Sequence, residues 1–514
     1  MVIKTFSAAY FGLEVFGIEA EIDIVPALPS IVIVGLADKA VTESKDRIRS
    51  ALRESGFEFP LGRITVNLAP ADINKSGSGF DVAIAVGITI QSGLIKAVKE
   101  LDKIIFIGEL ALDSTVRRVD GVLPICLWAK NKGYKTIIIP KENVGEVKLI
   151  RGIEIIAINK FREVTDYLEN KKDIQPIKVA TLASILENFE SEKRYQVDMS
   201  NIRGQHLAKR ALEIAACGFH NIMLIGEPGS GKTLLARAIS GILPSMTENE
   251  ILEISQIYSV AGMLSKSELV LQRPFRSPHH SASHVSIVGG GSRLTPGEIS
   301  LAHRGVLFMD EFPEFSRMTL EALRQPLEDG VVDISRITGR VRYPAKCMLV
   351  AAANPSPSGF FINKDNKDHI AKTKSLKAYQ NKFSGPVMDR IDLYVEIIKP
   401  KTEELMTTSK AESTYDIKQR IEKAKIFQNN RLQEFGLTNN SEISAQNIQE
   451  IVTLTKEAQD LVSKSIDKLK LSGRGYHRLL KVSRTIADLD NSNIVEVKHL
   501  AEALQFRPRS LIEG

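Results

Sequence analysis

The segment IMLIGEPGSGKTLLARAI (222–239) leaves this chain little freedom of fold. Ile222–Ile225 form an apolar run suited to a parallel strand buried on both faces. Gly226, Gly229 and Gly231 then let the backbone turn tightly, with its N–H groups aimed inward at phosphate oxygens. Lys232 brings a mobile positive charge, Thr233 a hydroxyl for Mg²⁺, and a helix opening at this point adds its positive dipole end. The competing reading is a glycine-rich turn without a ligand. A strand before and a helix after the glycines favour the phosphate loop. The spacing therefore predicts a site for ATP and Mg²⁺ over Gly226, Glu227, Pro228, Gly229, Ser230, Gly231, Lys232 and Thr233.

Two more apolar runs end in polar groups of the right kind. GVLFMDEF (305–312) closes on Asp310 and Glu311. An acidic strand end alone is usually a solvated loop. Beside a phosphate loop, Asp310 is expected to hold Mg²⁺ through its water shell and Glu311 to polarise the attacking water. CMLVAAAN (347–354) ends in Asn354, whose neutral amide can orient that water. An asparagine before Pro355 is otherwise a turn residue. Arg390, flanked by Asp389 and Asp392, reads either as an internal ion pair or as a finger reaching a neighbouring subunit's γ-phosphate. Arg474 opens a helix and is expected to touch the same phosphate, with Arg478 one turn later on the same face as the alternative.

A chain of 514 residues is too long for one core. Four β-rich runs (31–36, 63–69, 103–110 and 135–140) and a helical stretch, 39–56, predict an α/β domain over 1–168. A polar linker with one helix follows over 169–197. The nucleotide core is expected over 198–401. From 402 to 514 the pattern is helical, with Leu479, Val482 and Ile486 on one stripe. Hydrophobic residues at 43% and charged residues at 25% are those of a globular protein, and a net charge of +6 permits nucleic-acid binding without arguing for it. Cys126, Cys217 and Cys347 lie far apart, which fits a reducing cytoplasm. No run is long enough for a membrane span or a signal peptide's core, so a cytoplasmic protein without membrane partners is expected.

In order and spacing, the segments DMSNIRGQHLAKRALEIAACGFHNIMLIGEPGSGKT, RPFRSPHHSASHVSIVGGG, PGEISLAHRGVLFMDEFPEF and GYHRLLKVSRTIADL resemble the magnesium-chelatase-like AAA+ proteins, specifically the ComM (YifB) branch. The resemblance implies an AAA+ core with a helical lid, a hexameric ring with sites between subunits, and Ile202, Gly204 and Gln205 beside the adenine. It also implies a motor that drives branch migration of joined DNA during homologous recombination.

The first domain resembles the Lon protease fold. PADINKSGSGFD (70–81) stands where the protease serine belongs, offering Ser76 and Ser78, yet Leu123 occupies the place of the dyad lysine and Lys130 lies two helical turns away. Without a base a serine hydroxyl is inert at neutral pH, so no peptidase activity is expected. Many relatives carry N-P-C-P-C-G after the asparagine. Here Ser356 and Ser358 replace those cysteines, which excludes a zinc site there. His279, His280 and His284 have no cysteine or acidic partner nearby in sequence, and are read as a phosphate-contacting or structural loop.

VVDISRITGRVRYPAK (331–346) reads as two short strands joined near Thr338–Gly339. By resemblance such a hairpin points into the ring's pore. Arg336, Arg340 and Arg342, with Lys346, would suit it to DNA phosphates, and Arg273, Arg276 and Arg293 could add to that surface. Equally, these arginines fit a solvated sheet edge or ion pairs to Glu328–Asp329. Three functions follow: a DNA motor, a metal-insertion subunit of the chelatase kind, and a protein remodeller or Lon-like protease.

Overall fold

The computed structural model describes residues 2–36, 38–72, 75, 77–190, 197–264, 268–291, 294–336, 339–355, 385–399, 411–469 and 471–507. Ser76, Arg293, Thr338, Ser356 and Ser358 lie outside the described residues. The chain forms two compact units. Unit 1 is 1–192 with 247–271 and 339–342; unit 2 is 193–246, 272–338 and 343–514.

Unit 1 is built on a seven-stranded sheet. Its strands are β1 (Ile3–Phe11), β2 (Glu14–Val25), β3 (Ser30–Val34), β4 (Arg63–Ala69), β5 (Ile104–Phe106), β6 (Thr136–Pro140) and β7 (Glu154–Ile158), in the spatial order β3-β4-β2-β1-β5-β6-β7. β1 and β2 form an antiparallel hairpin with Phe11 opposite Glu14, closed by Gly12 at φ +64°. Ile18, Ala20 and Ile22 alternate inward along β2 and bury completely. The helix α1 (Lys39–Glu54) starts where Asp38 accepts a hydrogen bond from Val41 N at 2.9 Å, and buries Val41, Ile48, Ala51 and Leu52. Central to the core is α2 (Asp81–Gln91), apolar on all sides and buried from Asp81 to Thr89.

The protease-like positions of unit 1 are now placed. Ser78 donates its hydroxyl to Glu109, and Lys75 is buried with its ammonium on the carbonyl of Pro70. Leu123 is fully buried in α3 (Val122–Asn131), whereas Lys130 is exposed near that helix's other end. The helix α4 (Glu248–Val260), from the segment that follows the phosphate-loop helix in sequence, packs in this unit: Ser259 donates to the buried carboxylate of Glu146 at 2.6 Å.

Unit 2 carries a five-stranded, all-parallel sheet. Its strands are β8 (Ile222–Gly226), β9 (Phe275–Arg276), β10 (Val306–Met309), β13 (Met348–Ala353) and β14 (Leu393–Ile397); between β10 and β13 in sequence come the hairpin strands β11 (Val331–Arg336) and β12 (Gly339–Pro344), of which residues 339–342 belong to unit 1. The sheet order is β9-β10-β13-β8-β14, so β8 is central with β13 on one side and β14 on the other. Every residue of β8, β10 and β13 is buried, as expected for parallel strands covered on both faces. The helices α5 (His206–Gly218) and α6 (Lys232–Ile242) share this core with the C-terminal helices α8 (Thr414–Leu432), α9 (Gly473–Leu489) and α10 (Val497–Gln505). Leu479, Val482 and Ile486 form the buried stripe of α9. In sequence α7 (Arg324–Asp329) lies between β10 and β11 and runs into the hairpin. Among the described residues, no helix is long and apolar enough to cross a membrane.

Candidate active site

Parallel strands present their carboxyl ends at one edge of a sheet, and three adjacent strands of unit 2 deliver polar groups there. β8 ends in Gly226, where an added Cβ would lie 2.5 Å from the carbonyl oxygen of Ile397, so only glycine admits the close approach to β14. Gly229 and Gly231 follow at φ +76° and +96°. Gly231 is the N-cap of α6, which directs that helix's amide end back over the loop. Ser230 is buried, and its hydroxyl has no hydrogen-bond partner among the described residues.

Lys232, only 8% exposed, donates to the carbonyls of Gly226 at 2.6 Å and Glu227 at 3.0 Å, and to Asn354 Oδ1 at 3.2 Å. Burial lowers its ammonium pKa, opposed by the nearby carboxylates of Asp310 and Glu311. Thr233 donates its hydroxyl to Asp310 Oδ2 at 2.8 Å, and Asp310 Oδ1 accepts from the amide of Glu311 at 2.9 Å. Glu311 itself sits at φ +49° and is more than half exposed. The structure thus brings together Lys232, Thr233, Asp310, Glu311 and Asn354. An unsatisfied buried hydroxyl, left-handed glycines at a helix start, one cation and a hydroxyl–carboxylate pair fit a nucleotide triphosphate with its Mg²⁺.

Of Ile202, Gly204 and Gln205, the last is tied to the end of β14, the strand that pairs with β8. Gln205, at φ +57°, donates its side-chain amide to the carbonyl of Ile398, just beyond the end of β14. Lys209 holds the segment by donating to the carbonyls of Met199 at 2.9 Å and Ile202 at 2.6 Å. Lys399 forms an ion pair with Glu227 at 3.3 Å.

Arg390 and Arg474 lie elsewhere. Asn221, the residue before β8, donates to the carbonyl of Arg390 at 2.9 Å, which fixes Arg390 at the amino end of the sheet. The two edges are separated by the length of β8, about 16 Å at roughly 3.3 Å per residue. Both guanidinium groups meet on one carboxylate: Arg390 pairs with Glu328 Oε2, and Arg474 with Glu328 Oε1 at 3.2 Å. The hydrogen bond from Arg390, followed by the field of Arg474, holds Glu328 below its ordinary carboxylate pKa. Arg478 is occupied with backbone instead, donating to the carbonyls of Met388 at 3.3 Å and Ile391 at 2.6 Å, and is only 14% exposed. Arg474 is 55% exposed. These residues line a cleft of about 620 Å³ that also includes Lys346 and Lys481.

On the hairpin, Val332, Ile334, Val341 and Tyr343 are buried while Arg336, Arg340 and Arg342 are exposed. Period-two alternation therefore puts the basic residues of β12 on its solvent face. Val341 belongs to unit 1, as does Gly12, on which an added Cβ would meet it at 2.1 Å. Arg273 and Arg276 are committed inside unit 2. Arg273 donates to the carbonyls of Pro244 and Arg304, each at 2.8 Å, and Arg276 grips Glu298 with two bonds of 2.6 and 2.7 Å.

Two residues at these sites carry no motif in the sequence. His280 Nδ1 stands 3.1 Å from Glu311 Oε2, brought there because β9 pairs with β10 and the loop after β9 passes the end of the acidic strand. Glu328 is the second, a glutamate in an ordinary helix ending. Only the sheet order would have revealed the first, and only the return of the chain at 390 and 474 the second.

The chain matches three family models: "Magnesium chelatase, subunit ChlI" over residues 198–405, "Subunit ChlI of Mg-chelatase" over 20–143 and "Magnesium chelatase, subunit ChlI C-terminal" over 411–507. It is 41% identical to the protein named YifB from Escherichia coli (strain K12), across 97% of this chain and 96% of that protein. It is 39% identical to "Competence protein ComM" from Haemophilus influenzae (strain Rd), across 98% and 96%. A shorter match, 32% identity over 30% of this chain and 32% of the other, links its N-terminal part to "Lon protease 2" of Bacillus subtilis (strain 168). With a phosphate loop on a central parallel strand, a helical C-terminal region and matches spanning the whole length, the chain belongs to the magnesium-chelatase-like AAA+ family, alongside the proteins named YifB and ComM.

Proposed function

We propose that this chain is one subunit of a ring that hydrolyses ATP to move on DNA, as a branch-migration helicase. The observation that carries the ring is the separation of the two halves of the chemistry. Gly226–Thr233, Asp310, Glu311 and Asn354 stand at the carboxyl edge of the sheet, whereas Arg390 and Arg474 stand at the amino edge. A guanidinium cannot cross a sheet to reach its own subunit's phosphate. Its partner is the triphosphate of the next subunit, so the site is completed only by assembly, with a hexamer as the expected closed ring.

Within one site the roles divide by chemistry. The loop amides and Lys232 bind and orient the phosphates. Thr233 and Asp310 would hold Mg²⁺, which would supply charge withdrawal from the phosphate oxygens. Glu311 orients and deprotonates the attacking water, and Asn354 fixes its position. Arg390 and Arg474 from the neighbour neutralise charge that develops in the transition state. Ile202, Gly204 and Gln205 border the base.

The DNA reading rests on the exposed arginines Arg336, Arg340 and Arg342, which suit phosphate tracking without base readout. The name of the Haemophilus relative, a competence protein, accords with a DNA substrate. Stimulation of ATP turnover by a four-way DNA junction tests this reading. A rate indifferent to DNA but raised by an unfolded protein would replace it with protein remodelling.

A further inference from the structure

We infer that Glu328 is the positioning residue through which the basic hairpin controls the two arginines serving the neighbouring subunit's nucleotide. This rests on the proposed function and names the coupling inside it.

The carboxylate of Glu328 is bidentate in use: one oxygen pairs with Arg390 and the other with Arg474. These arginines come from distant parts of the chain, one just ahead of β14 and one in the first turn of α9. Glu328 is their shared partner, and a movement of that carboxylate displaces both guanidinium groups together.

Glu328 is also nearly part of the hairpin. It lies in the last turn of α7, which ends at Asp329, and β11 begins at Val331. Gly330 is the single residue between them, left-handed at φ +67°, with its amide donating to Pro326 at 2.9 Å. Its carbonyl accepts from the amide of Ala345 at 2.7 Å, which closes the hairpin's base. An added Cβ at Gly330 would sit 2.7 Å from Lys346 Cγ, so the joint is packed as well as hydrogen-bonded. Gln325 adds a second tie from α7, donating to Asp333 on β11 at 3.3 Å. Force on Arg336, at the end of β11, therefore passes through a short, doubly fastened joint to α7.

The shared carboxylate is half exposed and faces the cleft, so it has room to shift without unpacking the core. When DNA displaces the hairpin, Glu328 moves with α7 and changes how Arg390 and Arg474 are presented. DNA bound at the hairpin thus acts on the nucleotide of the adjacent subunit.

The test compares the wild-type ring with Glu328→Gln and Glu328→Asp, using a four-way junction as the probe. The amide of Glu328→Gln keeps shape but carries no charge to hold two guanidinium groups. The expected result is a DNA-stimulation factor at least about fivefold smaller in Glu328→Gln, the size of an ordinary coupling. The KM for ATP, the Kd for the junction and the ring mass stay near wild type, and Glu328→Asp recovers part of the stimulation. Full stimulation in Glu328→Gln overturns the inference. So does an equal loss of basal and stimulated rates, which would make Glu328 a brace for the arginines and not a coupler. A wild-type ring that ignores DNA defeats the proposed function itself, and the two failures are told apart by that control.

Discussion

Lys232 and Asn354 are joined by a hydrogen bond of 3.2 Å, from the ammonium of the phosphate loop to the side-chain oxygen at the end of β13. The strand pairing explains it: β13 lies directly beside β8, with Ile225 opposite Ala353, so the next residues of each strand face one another. The amide that is to hold the lytic water and the cation that is to hold the γ-phosphate are therefore already in one network.

Asn354→Ala breaks that network without removing a group that binds phosphate. Its kcat is expected to fall about 10²-fold, as when one group that orients the attacking water is removed, with nucleotide affinity within a few-fold of wild type. Single-turnover hydrolysis beside equilibrium binding of a fluorescent nucleotide measures both. Equal losses in the two would assign Asn354 to binding.

Subunit mixing tests the placement of Arg390. Arg390→Ala and Lys232→Ala are each expected to lower ATPase activity about 100-fold or more. Mixed in equal amounts, they recover activity, because a Lys232→Ala subunit still offers its arginine to a neighbour with an intact loop. Random mixing makes about a quarter of the sites complete, so recovery approaches that fraction of the wild-type rate. Failure to recover, with mixed rings shown to form, would place Arg390 in its own subunit's site.

On the hairpin, Arg336→Ala, Arg340→Ala and Arg342→Ala together remove three exposed positive charges. Junction binding should weaken for every sequence alike. The slope of log K against log salt should fall by about 0.9 for each DNA phosphate that the variant no longer neutralises. An unchanged slope moves the DNA surface elsewhere.

Stability should depend on pH through Glu442. Burial alone would raise its carboxyl, but Lys346, the amide of Thr438 and Arg304 outweigh it and hold the pKa below the ordinary 4.5. The folded chain binds this proton less readily than the unfolded chain. Its stabilisation is therefore complete above the ordinary value and disappears as pH falls through the lower folded one. Glu442→Gln is expected to cost about 1–3 kcal/mol at pH 7, with the gap from wild type closing below about pH 4. Thermal melts across that range would show it, and a gap that widens in acid would reverse the assignment.

How much of this is legible in the sequence depends on whether a residue's role is local. The phosphate loop is local: glycines at fixed spacing between an apolar run and a helix specify their own geometry. Asp310, Glu311 and Asn354 are nearly so, since each ends a continuous apolar strand that can only be internal. The roles of Glu328 and His280 are set by what folds beside them, at 390, 474 and 311, and no short pattern encodes that. The arginines are ambiguous in sequence for the same reason. Arg273 and Arg276 turn inward to carbonyls and Glu298, while Arg336, Arg340 and Arg342 stay exposed. The carboxylate at 328, open in the sequence as a partner for the hairpin, is bound instead by Arg390 and Arg474.

The most direct measurement is the ATP turnover of the assembled protein with and without a four-way DNA junction, with Lys232→Ala as the blank. An ATP-driven DNA motor predicts turnover that rises about tenfold with the junction and vanishes in the variant. Turnover that survives Lys232→Ala, or that no form of DNA alters, would contradict the account.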